Sequence, residues 1–182
     1  GGVYYTPTYI AEYIVKNTVG TLCENKTPDE TAKLRVLDPA CGSGSFLIQA
    51  YQYLLDWHLD YYLHHTPAKW VKGKSPLLFK TKQGEWQLTT TERKRILLNN
   101  IYGVDIDSQA VEVTKLSLLL KVLEGENEQT WIQQFEMLQE RVLPDLDSNI
   151  KCGNSLISYE NVEGELIPDS EAKIRLSAFD WN

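Results

Sequence analysis

Between residues 45 and 64, Phe46, Leu47, Ala50, Tyr51, Leu54 and Leu55 recur at helical spacing, which predicts a long helix with one face in a core. Tyr53, Trp57, Tyr61 and Tyr62 add aromatic mass to it and are assigned to packing. An earlier helix is predicted from Thr8, as its N-cap, to Leu22, with Ile10, Tyr13, Ile14 and Val19 on one face. Residues 109–124 carry Val111, Leu116, Leu118, Leu119, Leu120, Val122 and Leu123, enough to cover a parallel sheet, and Gly125 is the stop. A short helix capped by Thr91, a helical stretch over 126–142 closed by Pro144 and a short helix over 169–178 complete the set. Three runs read as strands: Arg35 to Asp38, buried and apolar at its centre, Ile101 to Val104, and Asn149 to Leu156, which holds the third strand and its exit. Residues 25–33 are a polar loop, and residues 159–168 a turn or hairpin.

Strands alternating with helices predict one α/β domain over residues 1–182. Its sheet is expected to be doubly wound and mainly parallel, with helices on both faces and the ligand at the strands' carboxyl ends. Residues 66–90 do not fit a simple βαβ unit: Pro67, Gly73, Pro76 and Gly84 interrupt them, so they read as a loop insertion. Lys69, Lys72, Lys74, Lys80 and Lys82 interleave there with Trp70, Phe79 and Trp86. Such a run is either a solvated loop with anchoring aromatics or a contact for phosphate backbone.

The candidate chemistry lies in Asp38-Pro39-Ala40-Cys41-Gly42-Ser43-Gly44-Ser45-Phe46. Pro39 ends the first strand, Gly42 and Gly44 bracket a tight turn, and Ser45 opens the long helix. This strand, acid, glycine turn and helix form a nucleotide-type cradle. It is not the dinucleotide fingerprint G-x-G-x-x-G, whose third small residue would fall at Leu47. A carboxylate before the turn would repel a pyrophosphate, and it suits a ligand with a positive group, such as the amino acid end of S-adenosylmethionine. Asp105 closes the second strand, where a carboxylate can accept both hydroxyls of a ribose.

The segment from Asp38 to Phe46 resembles the first cofactor motif of N6-adenine DNA methyltransferases, most closely the gamma-class enzymes of type I and type IIG restriction–modification systems. Gly103-Val104-Asp105-Ile106-Asp107 is similar to the second motif, and Gly153-Asn154-Ser155-Leu156 to the third. Tyr5-Thr6-Pro7 resembles the segment that precedes the first strand and folds over the methionine end of the cofactor. The resemblance implies S-adenosylmethionine as cofactor and assigns its sites. Asp38, Ala40, Cys41, Gly42 and Gly44 would surround the methionine, with Thr6 closing the far side. Asp105 would take the ribose, Ile106 an adenine face, and Asn154 with Ser155 the adenine amino group. Without the family, Tyr5-Thr6-Pro7 is an extended lead and Gly153-Asn154 a turn. Asp107 is expected to help Ser108 start a helix.

The family's catalytic Asn-Pro-Pro-Tyr motif does not occur in these residues, so no catalytic residue is assigned. The chain is expected to be the cofactor-binding front half of a larger enzyme, inactive alone. Its target is expected to be double-stranded DNA read mostly by other regions, with a possible nuclease domain or subunit. Methylation of RNA or of protein glutamine, and a non-catalytic module of the same fold, are the rival readings.

Composition limits these readings only slightly. With 182 residues, 42% of them hydrophobic and 24% charged, the chain is long enough to bury a core. Its net charge of −7 argues against a strongly basic nucleic-acid surface on this piece. Cys23, Cys41 and Cys152 lack pairing signals and fit a reducing cytoplasm. His58, His64 and His65 read as surface residues rather than metal ligands, and no segment has membrane-spanning length.

Overall fold

The computed structural model describes residues 6–73, 75–124, 143–158 and 178–179. Its first helical stretch runs through α1 (Thr8–Val15), a π-helical turn (Lys16–Gly20) and α2 (Thr21–Cys23). Pro7 takes the N-cap place expected of Thr8, and its carbonyl receives the amides of Ile10 and Ala11. The buried face also differs from expectation: Ala11, Val15, Val19 and Cys23 are buried, whereas Ile10, Tyr13 and Ile14 are exposed. A π turn takes up an extra residue, so buried positions here recur every four residues. Gly20 closes that turn beneath α4 (Ser45–His64), where a Cβ would come 2.8 Å from the Tyr53 hydroxyl.

The short helix α3 (Pro28–Thr31) has a capping box, in which Thr27 and Glu30 satisfy each other's backbone amides. It leads into β1 (Val36–Asp38). β1 pairs in parallel with β4 (Ile101–Asp105), and β4 pairs in parallel with β5 (Ile150–Cys152), giving the order β1-β4-β5. Asp38 stands opposite Gly103, and Asp105 opposite Cys152. Gly103 faces α4: a Cβ there would lie 2.7 Å from Leu47 Cδ1 and 3.1 Å from Cys41 Sγ. Side chains of a strand alternate, so Val36 and Asp38 share that face and Leu37 points to the other. Leu37 is 44% exposed, which departs from the expected buried strand. The crossovers β1 to β4 and β4 to β5 advance the same way along the sheet. Right-handed connections of that kind place α4 and α7 (Ser108–Leu123) on one face.

α4 occupies the predicted span, and Leu47, Ala50, Tyr51, Leu54, Leu55, His58 and Tyr62 are buried along it. His58 is therefore a core residue and not a surface one. It falls one turn beyond Leu54, whose carbonyl accepts its Nδ1 proton at 2.7 Å, and burial holds its pKa below the usual range. His64 and His65 are exposed. Residues 66–90 contain a helical turn, α5 (Pro67–Trp70), and an antiparallel hairpin of β2 (Leu78–Lys80) and β3 (Trp86–Leu88). The paired Leu78 and Leu88 are buried and tie the hairpin to the core, each side chain worth about 2 kcal/mol. Lys69 and Lys80 stand over the Trp70 and Trp86 rings, at 4.9 and 5.4 Å from their centroids.

α6 (Thr90–Asn100) is capped by Thr89, whose hydroxyl accepts the Glu92 amide, and not by Thr91. Glu92 is fully buried and receives the Tyr62 hydroxyl at 2.6 Å and two Arg95 donors at 2.7 and 2.6 Å. Two buried asparagines anchor the sheet's entry side. Asn100 Nδ2 donates to the Thr31 and Leu34 carbonyls, and Asn149 Nδ2 to those of Leu98 and Ile101. On α7, Val111, Thr114, Leu118 and Val122 are buried while Leu116 and Leu120 are exposed. The third predicted strand is β5, and its exit begins at Gly153. β6 (Asn154–Ser158) leaves the main sheet and pairs in parallel with β7 (Ala178–Phe179). The helix and stop expected over 125–142, the turn over 159–168 and most of the helix over 169–178 lie outside the described residues.

Candidate cofactor-binding site

The carboxyl ends of β1 and β4 bring Asp38 and Asp105 together beside the Gly42–Gly44 turn. Asp38 Oδ1 accepts the Ala40 amide at 3.1 Å, which folds the chain back immediately after the strand. The Cys41 amide then donates to the Val104 carbonyl at 2.9 Å, so the turn is stitched to β4 before the glycines begin. Gly42 and Gly44 have φ of +52° and +80°, the left-handed region that favours glycine. The Gly42 amide donates to Asp105 Oδ2 at 2.7 Å, and the Asp107 amide to Asp105 Oδ1 at 2.9 Å. On the opposite side, Thr114 of α7 donates its hydroxyl to the Gly42 carbonyl at 2.8 Å.

The electrostatics are those of an anionic cleft. Burial raises the pKa of Asp38; the Ala40 hydrogen bond opposes that rise and the Asp105 charge adds to it. The Cys41 thiol is pushed up to about 12, first by burial and then by both carboxylates, so it is a packing group and not a nucleophile. Its sulfur fills the space over Gly103. A positive group placed between the two carboxylates would relieve their mutual repulsion. A Cβ at Gly42 would meet no atom within 4 Å, so the turn has open space beside it. Ile106, next to Asp105, is 63% exposed and presents an apolar side chain at the strand end.

Of the residues singled out in the sequence, Asp38, Ala40, Cys41, Gly42, Gly44, Asp105 and Ile106 converge on this corner. Asn154 and Ser155 follow Gly153, whose amide donates to the Asp105 carbonyl at 2.9 Å, so they leave the sheet one residue beyond that tie. Asn154 Oδ1 accepts the Leu156 amide at 3.1 Å. Thr6 is exposed at the start of the first helix and takes no part in the hydrogen bonds described for the turn. Asp107 caps α7 by accepting the Gln109 amide at 2.9 Å, the structural part expected of it. Thr114 was not legible in the sequence, where it is a small polar residue inside an apolar helix. Cavities of about 280 and 240 Å³ lie elsewhere, the first between α4, β3 and α7 and the second between α1 and α4. Among the described residues no cluster of His, Cys, Asp and Glu could hold a metal ion, and all three cysteines are free. No helix among them is long and apolar enough to cross a membrane.

Residues 21–166 match the family described as MmeI, DNA-methyltransferase domain. The chain is 37% identical over 155 residues to the type II restriction enzyme and methyltransferase RM.Eco57I of Escherichia coli, covering 85% of this chain and 14% of that protein. It is 32% identical over 195 aligned residues to the putative type II restriction enzyme and methyltransferase RM.MjaORFECS2P of Methanocaldococcus jannaschii, covering 87% and 15%. It is also 24% identical to the adenine-specific methyltransferase PglX of Streptomyces coelicolor, over 91% of this chain and 11% of that protein. The chain thus spans about a seventh of the length of the first two relatives. The family match reaches across the glycine turn, both strand-end carboxylates and Thr114, and the chain belongs to the MmeI-type DNA-methyltransferase domain family.

Proposed function

We propose that this chain is the S-adenosylmethionine-binding part of a site-specific DNA adenine N6-methyltransferase in a restriction–modification or phage-defence enzyme. The observation that carries the reading is the pair of carboxylates, Asp38 and Asp105, flanking a left-handed glycine turn whose amide is held by Asp105. That corner matches a ligand with a cationic amino acid end, a ribose and a flat base. Asp38, Ala40, Cys41, Gly42 and Gly44 would hold the methionine, with Thr6 on the far side. Asp105 would hold the ribose, Ile106 an adenine face, and Asn154 with Ser155 the adenine edge. When bound, the cofactor supplies an activated methyl group, and the protein's work is to hold it in line with the adenine amino nitrogen. The target base must leave the DNA stack to reach it.

We further propose that in the whole protein the sheet is doubly wound. Additional strands would continue from the open edge of β1, with helices over the Leu37 face. The Asn-Pro-Pro-Tyr motif and DNA-reading regions would be supplied there, together with a nuclease in cis or as a subunit. The cytoplasm is the compartment that holds both substrates. Calorimetric titration with S-adenosylmethionine tests the reading, beside an Asp105→Ala control. Saturable binding that the substitution weakens at least tenfold is expected. A folded full-length protein that does not bind, or a control that binds equally, would overturn it.

A further inference from the structure

We infer that Thr114 is a positioning residue of the cofactor cradle, its hydroxyl holding the Gly42–Gly44 turn in the form that receives S-adenosylmethionine. The inference rests on the reading of the cradle given above. Thr114 is fully buried on α7, and its Oγ1 donates to the Gly42 carbonyl at 2.8 Å. The amide of the same glycine donates to Asp105 at 2.7 Å. One left-handed residue is therefore gripped at both ends, by a strand and by a helix far apart in sequence. A trans peptide is planar, with its C=O and N–H pointing opposite ways. Aiming the Gly42 carbonyl at α7 thus directs the Ser43 amide away from α7, at a residue that is exposed. That amide is a backbone donor presented beside the carboxylate pair, suited to the carboxylate end of an amino acid ligand. Thr114 also crowds Gly44, where a Cβ would stand 2.8 Å from its methyl carbon and 2.9 Å from its hydroxyl oxygen. Without the hydroxyl, the Gly42 carbonyl loses its buried partner, and the peptide between Gly42 and Ser43 is held only through its neighbours, the Gly42 amide on Asp105 and the Gly44 amide on the Cys41 carbonyl at 2.8 Å.

Two substitutions separate this role from packing. Thr114→Val keeps the shape and removes the donor, whereas Thr114→Ser keeps the donor and removes the methyl. On the full-length protein, Thr114→Val is expected to bind S-adenosylmethionine about tenfold more weakly, the loss of one buried hydrogen bond, with Thr114→Ser within about threefold of wild type. Amide exchange at Gly42 and Gly44 in the ligand-free protein should quicken in Thr114→Val and stay slow in Thr114→Ser. The reverse ranking, with Val normal and Ser weak, would make Thr114 a packing residue and overturn the inference. A Thr114→Val protein that no longer melts cooperatively would overturn it too, because the hydroxyl would then serve the fold. Asp105→Ala run in parallel keeps the two readings distinct. Binding lost in Asp105→Ala but unchanged in Thr114→Val removes the positioning role alone. Binding unchanged in Asp105→Ala removes the cradle, and the role of Thr114 with it.

Discussion

Asp105 and Gly42 are 63 positions apart in sequence and are joined by a 2.7 Å hydrogen bond from the glycine amide to the carboxylate. The acid that ends β4 therefore shapes the turn that follows β1, and it also places its charge beside Asp38. Replacing Asp105 with Asn keeps the size, removes the charge and leaves one of the Gly42 and Asp107 amides without its acceptor. The pKa of Asp38 is then expected to fall, since a neighbouring negative charge no longer opposes its ionisation. Carboxyl-carbon NMR titration of Asp38 in the two proteins measures this directly; an unchanged midpoint would mean that burial and the Ala40 hydrogen bond set it without Asp105.

Asp38 carries the opposite trade. Its pKa is raised in the folded protein, so its favourable contribution to stability is complete below the unfolded-state pKa and is lost as pH rises through the folded-state pKa. At neutral pH the buried charge is a cost. Asp38→Asn, whose side-chain carbonyl can still accept the Ala40 amide, is expected to melt a few degrees higher at pH 7, with the gap closing as pH falls into the carboxyl range. The same variant should bind S-adenosylmethionine poorly. A melting point that drops at pH 7 would refute the argument.

The two turn glycines differ in what surrounds them. Gly42→Ala meets no neighbour, so it bears only the left-handed backbone cost of about 1 kcal/mol. Gly44→Ala adds a collision with Thr114, for a total of about 3 kcal/mol. Urea denaturation with unchanged slopes would resolve the difference, and equal midpoints would show that α7 gives way.

Glu92 is the buried charge on which α4 and α6 meet. Glu92→Ala strands the Tyr62 hydroxyl and the Arg95 guanidinium, and about 3 kcal/mol of stability should be lost. Thermal melting of Glu92→Ala beside Tyr62→Phe, which deletes only one of those bonds, would rank the two. Equal losses would place the stabilisation in the tyrosine contact alone.

The parts of this structure that were legible in the sequence depend on short-range pattern. The apolar repeat of α4, the Gly42–Gly44 turn and the acid at the end of β4 are each contained within a few residues. What escaped depends on distance or on backbone detail. Three consecutive threonines stand at the start of α6, and only the backbone geometry makes Thr89 rather than Thr91 the cap. α1 buries Ala11 and Val15 ahead of the π turn at Lys16–Gly20, a face set by packing on α4 and not by the larger apolar residues Ile10, Tyr13 and Ile14. His58 resembles a surface residue until Leu54 is seen to take its proton. Thr114 gains its meaning from a carbonyl that only folding brings near.

The strand order β1-β4-β5 also matches the order in which the ribosome releases the three strands. Each new strand docks on the one made before it, so no pairing among them waits for a distant segment, and the sheet can grow outward during synthesis. Among the described residues no strand pairs with the outer edge of β1, beside the exposed Leu37. An emerging chain of this kind carries an edge strand from the start, and slow translation would lengthen the interval in which a neighbouring nascent chain can pair with it.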